Sequence, residues 1–177
     1  MDADDATLIE RSAQGRPDAF VEVVRRHEAA VHAFLARRAG RQAADDLLGE
    51  VWVRAFAARG GYDPARAGAR PWLYGIARNV LRAHWSARPD PVRVPGPQSA
   101  DPWDEVVDRL DSAAQVQTLV SALRALPVTE RDVLLLVAWE QLTPAEAAEV
   151  LGVPQGTARS RLHRARAALR PLLEEPT

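Results

Sequence analysis

Basic side chains are concentrated on one face of a predicted helix near the end of the chain, in the segment GVPQGTARSRLHRAR (residues 152–166). At 100° per residue, one arc of about 100° contains the apolar positions Ala158, Leu162, Ala165, Leu169 and Leu172. The opposite side carries Arg159, Ser160, His163, Arg164 and Arg166. No arginine on this face has the carboxylate at i+4 that a solvated helix usually supplies. The pattern therefore favours a DNA-binding surface over a plain solvated one.

Aromatic and basic residues are interleaved in a second stretch, PWLYGIARNVLRAHW (residues 71–85). It places Trp72, Tyr74 and Trp85 among Arg70, Arg78 and Arg82. Exposed rings and arginines suit single-stranded nucleic acid, because bases stack on the rings and phosphates need positive charge nearby. The helical projection puts Trp72 on the apolar face, so we favour a core position for Trp72. We expect Tyr74 and Trp85 to be exposed.

Acidic residues form a third candidate site in ADDLLGEVWVRAF (residues 44–56), where Asp46, Glu50 and Arg54 follow one another at spacings of four. This polar stripe faces away from Leu47, Leu48, Val51 and Phe56. It could ligate magnesium, form a solvated face or dock on another protein.

A metal-dependent nucleic-acid enzyme using Asp45, Asp46 and Glu50 is the alternative from another functional class. However, carboxylates on a single helix lack a convergent third ligand. The chain also contains neither a glycine-rich phosphate loop ending in Lys-Ser/Thr nor a His-Glu-x-x-His motif. We therefore expect no enzymatic activity, no bound metal and no cofactor.

The composition excludes several other classes of protein. The 177 residues are 47% hydrophobic and include no cysteine, which is typical of a globular chain without disulfides. No apolar run approaches the ~20 residues of a membrane span, so we expect a cytoplasmic protein without membrane insertion. The net charge of −1 hides an alternation, because residues 51–88 hold 7 basic and 1 acidic side chains whereas residues 89–149 hold 4 and 11.

Helical periodicity accounts for most of the chain, and no segment shows the alternation of a strand. Helices are predicted over residues 17–38, 43–58, 71–87, 103–126 and 129–141. A further helix begins at the capping box of Thr143, and Gly152 separates it from the arginine-rich helix. Two helices joined by a glycine-containing turn are the layout of a helix-turn-helix.

A proline-rich stretch divides the predicted helices into two groups. Five prolines between Pro89 and Pro102 cannot hold a helix. The sequence therefore predicts an all-α fold of two small helical domains, residues 7–88 and 103–177, joined by a proline-rich linker over residues 89–102. The second domain contains the helix-turn-helix.

These motifs, in this order, resemble the extracytoplasmic-function (ECF) group of bacterial RNA polymerase sigma factors. The resemblance rests on DDLLGEVWVRAF…YDPARAGARPWLYGIARNVL and on LPVTERDVLLLVAWEQLTPAEAAEVLGVPQGTARSRLHRARAAL, and it extends from about Thr7 to Leu173. It implies a sigma factor that binds core RNA polymerase and directs promoter-specific initiation. The alternative is a stand-alone helix-turn-helix regulator that never joins polymerase, which would leave the arginine-aromatic helix without a role.

The resemblance also implies partners and site residues. Core RNA polymerase would be bound at its largest-subunit coiled coil and flap region, through Asp46, Leu47, Glu50 and Arg54. The minus-ten promoter element would be melted and bound by Tyr62, Arg66, Arg70, Trp72, Tyr74, Arg78, Asn79 and Arg82. The minus-thirty-five duplex would be recognised by Thr157, Arg159, Ser160, Arg161, His163 and Arg164. An anti-sigma protein is left open as a further partner.

Overall fold

A computed structural model describes residues 3–87 and 114–174. The chain divides into two compact units, with the division between residues 92 and 93. All secondary-structure elements in the two described ranges are α-helices or 3-10 helices, and none is a strand. This confirms the predicted all-α class. The predicted linker over residues 89–102 lies outside the described residues, as does the start of the helix predicted over 103–126. None of the described helices combines the length and apolar composition that crossing a bilayer requires.

The first unit contains four α-helices and one short 3-10 turn. They are α1 (Asp5–Ala13), α2 (Ala19–Ala39), α3 (Arg41–Ala58), the 3-10 turn Arg59–Gly61 and α4 (Ala69–Ala87). The sequence predicts α4 to begin at Pro71, but the helix begins two residues earlier. Pro71 is tolerated there because the first turn of a helix has no intrahelical acceptor for its N–H groups. The N–H of Trp72 donates to the Gly68 carbonyl at 3.2 Å.

Helix α1 is absent from the sequence prediction. It begins at an Asp4 cap, whose carboxylate accepts the N–H of Thr7 at 2.7 Å. Leu8 and Ile9 are buried against the rest of the unit. Asp5 attaches α1 to α2 through hydrogen bonds to Arg26 and His27. A single turn of apolar residues in a polar context carries too little periodicity to be recognised as a helix.

Apolar faces of α2, α3 and α4 form the core of the first unit. The buried residues include Val23, Val31, Phe34, Leu35, Leu47, Val51, Ala55, Leu73, Ala77 and Val80. Helix α2 ends at Gly40, which adopts a φ of 81° that side-chain-bearing residues rarely adopt. Because Gly40 turns the chain directly into α3, the two helices pack closely, and α3 buries Ala44, Leu47, Val51 and Ala55.

The second unit contains α5 (Ala114–Ala125), α6 (Val128–Ala138), α7 (Pro144–Leu151) and α8 (Gln155–Glu174). The sequence predicts α6 to run from Thr129 to about Gln141, but the helix is shorter. It follows Pro127, and no side chain caps its first turn. Gln141 lies beyond the end of α6 and has a positive φ of 55°.

Helices α7 and α8 confirm the predicted helix-turn-helix. The Thr143 hydroxyl accepts the N–H of Glu146 at 3.2 Å, and the Glu146 carboxylate accepts the N–H of Thr143 at 2.7 Å. Gly152 ends α7 in the left-handed region, with φ 67° and ψ 37°. Small residues allow α8 to pack against its neighbours, in a buried cluster made of Val133, Ala148, Ala158 and Leu162. The local sequence thus places the start of α8 and decides which of its faces is buried.

Candidate nucleic-acid and polymerase interfaces

The exposed face of α8 is the basic one. Ala158 and Ala165 are fully buried and Leu162 is 4% exposed. The predicted contact residues Arg159, Ser160, His163, Arg164 and Arg166 are all exposed, whereas Thr157 and Arg161 are half-buried. The division of the helix into a core face and a basic face is therefore as predicted. The Ser160 hydroxyl donates to the Thr157 carbonyl at 2.9 Å, so it can offer an approaching base only its lone pairs.

One arginine of α8 has a carboxylate partner that the sequence does not reveal. The Nε of Arg164 lies 2.6 Å from Oε1 of Glu130, which is in the first turn of α6. The Glu130 side chain is 13% exposed and that of Arg164 is 57% exposed. A search for partners at i+4 within α8 cannot find this pair, because its members are 34 positions apart and on different helices.

Helix α3 presents its acidic stripe to solvent. Asp46, Glu50 and Arg54 are exposed, and Glu50 accepts a hydrogen bond from Arg54 at 2.5 Å. Leu47, which the resemblance placed among the polymerase contacts, is 4% exposed and belongs to the core. It faces inward because it lies on the buried side of α3 with Ala44, Val51 and Ala55, at spacings of three and four. Leu47 therefore packs in the core beneath the stripe and does not contribute to its exposed surface.

The same face of α3 contains an apolar residue that the sequence analysis did not single out. Val53 is 70% exposed and lies between Glu50 and Ala57 at helical spacings of three and four. No neighbouring atom lies within 4 Å of the space that a side chain at Gly49 would occupy. The face thus combines two carboxylates, with which a basic partner surface could pair, and an exposed valine. The signal was present in the sequence, because Val53 does not fit the buried repeat of α3.

Two of the predicted single-strand contacts lie together, Tyr62 directly after the 3-10 turn and Trp72 in the first turn of α4. The rings of Tyr62 and Trp72 are 5.0 Å apart between centroids and tilted by 54°, and both residues are half-buried. The Asp63 carboxylate accepts the N–H of Ala65 at 2.9 Å, which fixes the turn that follows Tyr62. Arg66 on this turn is exposed.

The exposure predicted for Tyr74 is wrong. Tyr74 is 1% exposed, and its ring stacks on Phe34 of α2 with the centroids 4.9 Å apart. Its hydroxyl accepts a hydrogen bond from Arg70 at 3.4 Å, so the ring packs in the core while its polar end fixes an arginine at the surface. A projection of α4 alone misses this position, because α2 packs against more of α4 than the apolar arc covers. Trp72, favoured for the core, and Trp85, expected to be exposed, are both half-buried.

The remaining predicted residues of α4 lie along its outer side. Asn79 and Arg82 are exposed and Arg78 is half-buried. With Arg66 and the Tyr62–Trp72 pair, the first unit carries exposed positive charge and partly accessible rings, the two features that single-stranded DNA binding uses.

Acidic residues of α1 influence the aromatic pair. Burial raises the pKa of Tyr62, and the carboxylates of Asp5, Asp4 and Asp63 raise the pKa further. Both effects favour the neutral phenol of Tyr62 over the phenolate.

The acidic stripe does not assemble a metal site. Asp45 bonds to His32 at 2.9 Å and Glu50 to Arg54, so these two carboxylates have protein partners. Across residues 3–87 and 114–174, no three histidine, aspartate or glutamate side chains are grouped so that they could hold a metal ion.

Two sequence families match this chain, and the matches fall in different units. Residues 23–88 match the family described as Sigma-70 region 2, and residues 117–169 match Sigma-70, region 4. The chain is 34% identical over 161 residues to the probable RNA polymerase sigma-C factor of Mycobacterium bovis, covering 89% of this chain and 85% of that protein. It is also 34% identical over 176 residues to the RNA polymerase sigma factor CarQ of Myxococcus xanthus, covering 94% and 96%.

Solved structures agree with these relatives. The structure of CnrH in complex with the cytosolic domain of CnrY superimposes with a TM-score of 0.67 at 27% identity, covering 98% of this chain and 99% of CnrH. A stand-alone helix-turn-helix regulator would account for the region 4 match but not for region 2, and the relatives align over both. The chain belongs to the ECF group of RNA polymerase sigma factors, which direct the polymerase to promoters.

Proposed function

We propose that three surfaces of this sigma factor divide the work of initiation. The exposed face of α3 docks on core RNA polymerase, the segment from Tyr62 to Arg82 binds the opened minus-ten element, and α8 recognises the minus-thirty-five duplex. The protein has no catalytic step of its own and acts in the cytoplasm as a polymerase subunit. The domains that carry these surfaces are residues 7–88 and 103–177.

The observation that carries the proposal is the two-sided character of α8. Its apolar side is buried against α6 and α7, and its exposed side presents Arg159, His163 and Arg164. An α-helix held in this way by a helix-turn-helix fits the major groove of DNA, where its first turns reach base edges. Arg166 and Arg170 lie further along α8, at positions better suited to phosphate contacts.

Docking through α3 is supported by charge and by access. Asp46 and Glu50 present two carboxylates that a basic partner surface can pair with, and Val53 adds an apolar contact at the centre of the face. The open space at Gly49 allows the backbone of a partner helix to approach. Leu47 contributes by holding α3 in the core, so its proposed role is support and not direct contact.

Binding of the opened strand is supported by the residues around Tyr62 and Trp72. A flipped base costs a few kcal/mol of unstacking, which a pocket must return through stacking and hydrogen bonds. The two rings provide stacking surfaces, and Arg66, Asn79 and Arg82 provide donors at the surface. Arg70 is oriented by the buried Tyr74, so Tyr74 acts through Arg70 and does not stack on a base.

A protein inhibitor is a further proposed partner. CnrH, which shares 27% of its aligned residues with this chain, was solved with the cytosolic domain of CnrY bound. The likeness over nearly the whole of both chains supports a protein partner of this kind, an anti-sigma protein, for this sigma factor.

Permanganate footprinting of a promoter complex tests the division of labour. Arg66→Ala with Asn79→Ala removes one charge and one amide from the proposed single-strand surface. We expect the reactivity of unpaired minus-ten thymines to fall while binding of the minus-thirty-five duplex is retained. Arg16→Ala with Gln14→Ala removes the same groups from an exposed turn between α1 and α2 and serves as the matched control. Equal footprints for both double variants and the wild type would contradict the assignment.

A further inference from the structure

We propose that Glu130 is a positioning residue for DNA recognition: it holds Arg164 in the orientation in which that arginine contacts a base pair. Glu130 lies on α6, outside the helix-turn-helix, and no DNA contact of its own is involved. The proposal rests on the assignment of α8 as the minus-thirty-five recognition helix. It makes the sequence preference of the protein depend on a residue that does not touch DNA.

The geometry gives the two partners different freedom. Glu130 is the third residue of α6, its backbone N–H donates to the Pro127 carbonyl at 2.9 Å, and its side chain is 13% exposed. A carboxylate in the first turn of a helix is also stabilised by the helix dipole. The guanidinium of Arg164 is 57% exposed and is held at its Nε. Glu130 is thus the fixed member of the pair and Arg164 the member that projects from the surface.

The atom through which the pair forms leaves the rest of the guanidinium available. An arginine has five N–H donors in one plane, and Glu130 takes the one at Nε. The Nη1 and Nη2 groups stay free to donate two parallel hydrogen bonds to the O6 and N7 acceptors of guanine. Fixing the plane of the guanidinium before binding reduces the side-chain entropy lost on contact with DNA.

Two other arginines of α8 provide the contrast. Arg159 and Arg166 are exposed, and within the described ranges neither forms an ion pair with a carboxylate. Arg166, further along α8, keeps its full charge and its rotamer freedom, which suits a contact to phosphate. Because Glu130 also offsets the charge of Arg164, it weakens the attraction of this arginine for phosphate in any sequence. The pair therefore favours selectivity over indiscriminate affinity.

The test compares base preference in holoenzyme reconstituted from core RNA polymerase and the full-length chain. Arg164→Ala first identifies the minus-thirty-five base pair at which preference is lost. Glu130→Gln, which keeps the size of the side chain and removes its charge, should then reduce the preference at that base pair by about tenfold, within the range of one bidentate guanine contact. Binding to duplexes mismatched at that position should be unchanged or stronger. The double variant should show no loss beyond that of Arg164→Ala.

Glu149→Gln is the matched control, because Glu149 is an exposed carboxylate of the same unit on α7. It should leave the preference at every position unchanged. Glu130→Asp, which restores the charge, should recover part of the preference if the pair positions Arg164. A uniform fall in affinity for all duplexes in Glu130→Gln would show a role in stability only and would overturn the proposal. If Arg164→Ala changes no preference while Arg159→Ala does, Arg164 reads no base pair and the positioning proposal is overturned. If neither substitution changes any preference, the assignment of α8 as the recognition helix fails instead.

Discussion

Charge reversal on the exposed face of α3 is expected to separate polymerase binding from folding. The perturbation is Asp46→Arg together with Glu50→Arg, two substitutions one helical turn apart on the surface proposed to dock on core polymerase. Both side chains are exposed, and Glu50 pairs with Arg54. The core residues beneath them are untouched.

The cost to the fold follows from the exposure of the broken pair. The side chains of Glu50 and Arg54 are 43% and 44% exposed, and an i,i+4 pair of this kind contributes about 0.3–0.5 kcal/mol. Reversal replaces this attraction by a repulsion of similar size, so the total cost to unfolding is expected to stay below about 1 kcal/mol. Charge reversal at a complementary protein interface costs several kcal/mol. Taking about 3 kcal/mol, the affinity for core polymerase should fall by about 100-fold.

Affinity is measured by titrating labelled sigma factor with core polymerase at two salt concentrations, and stability by urea denaturation of the free chain. Glu10→Arg with Glu28→Arg reverses two exposed charges on α1 and α2 and is the matched control. If only the α3 face is involved, the control variant should bind polymerase within about twofold of wild type, since exposed charges outside the interface contribute little. Equal binding by the α3 variant and the control would refute docking through this face.

Three further outcomes are expected. Arg159→Ala should cost about 1–3 kcal/mol of binding free energy and relax the preference at a particular base pair. Arg166→Ala should weaken binding to all duplexes alike and reduce the salt slope by about one. Binding to a promoter library at two salt concentrations measures both effects. Thr143→Ala should lower the stability of the second unit by about 1 kcal/mol, measured by amide exchange in α7, because it removes a helix cap. In a Tyr74→Phe variant, which leaves Tyr62 as the one tyrosine of the chain, ultraviolet titration should place the pKa of Tyr62 above the ordinary value of about 10. Because the folded state favours the neutral phenol, the free energy of unfolding should fall as the pH rises through that pKa.

Local signals were sufficient to predict the helix-turn-helix of the second unit. The capping box at Thr143 and the glycine after α7 each depend on only a few neighbouring residues, and the structure contains both as predicted. The buried and exposed faces of α8 follow from the same helical period. The stripe on α3 was also visible, because Asp46, Glu50 and Arg54 repeat at a spacing that one helix can realise.

Features that depend on another element could not be obtained in this way. The burial of Tyr74 results from stacking on Phe34 of α2, and the orientation of Arg164 results from Glu130 of α6. Helix periodicity describes one helix at a time and contains no information on which neighbour covers its edges. Helix α1 was missed for a different reason, because its nine residues bury only one turn of apolar side chains. Its Asp4 cap was the one local signal that pointed to it.

Transcription from defined templates by core RNA polymerase, with and without this chain, tests the account most directly. Start sites obtained only in the presence of the chain should share two separated sequence elements, and the upstream element should change when Arg159 or Arg164 is replaced by alanine. Core polymerase that fails to bind the chain, while the chain alone binds duplex DNA with the same sequence preference, would contradict the account.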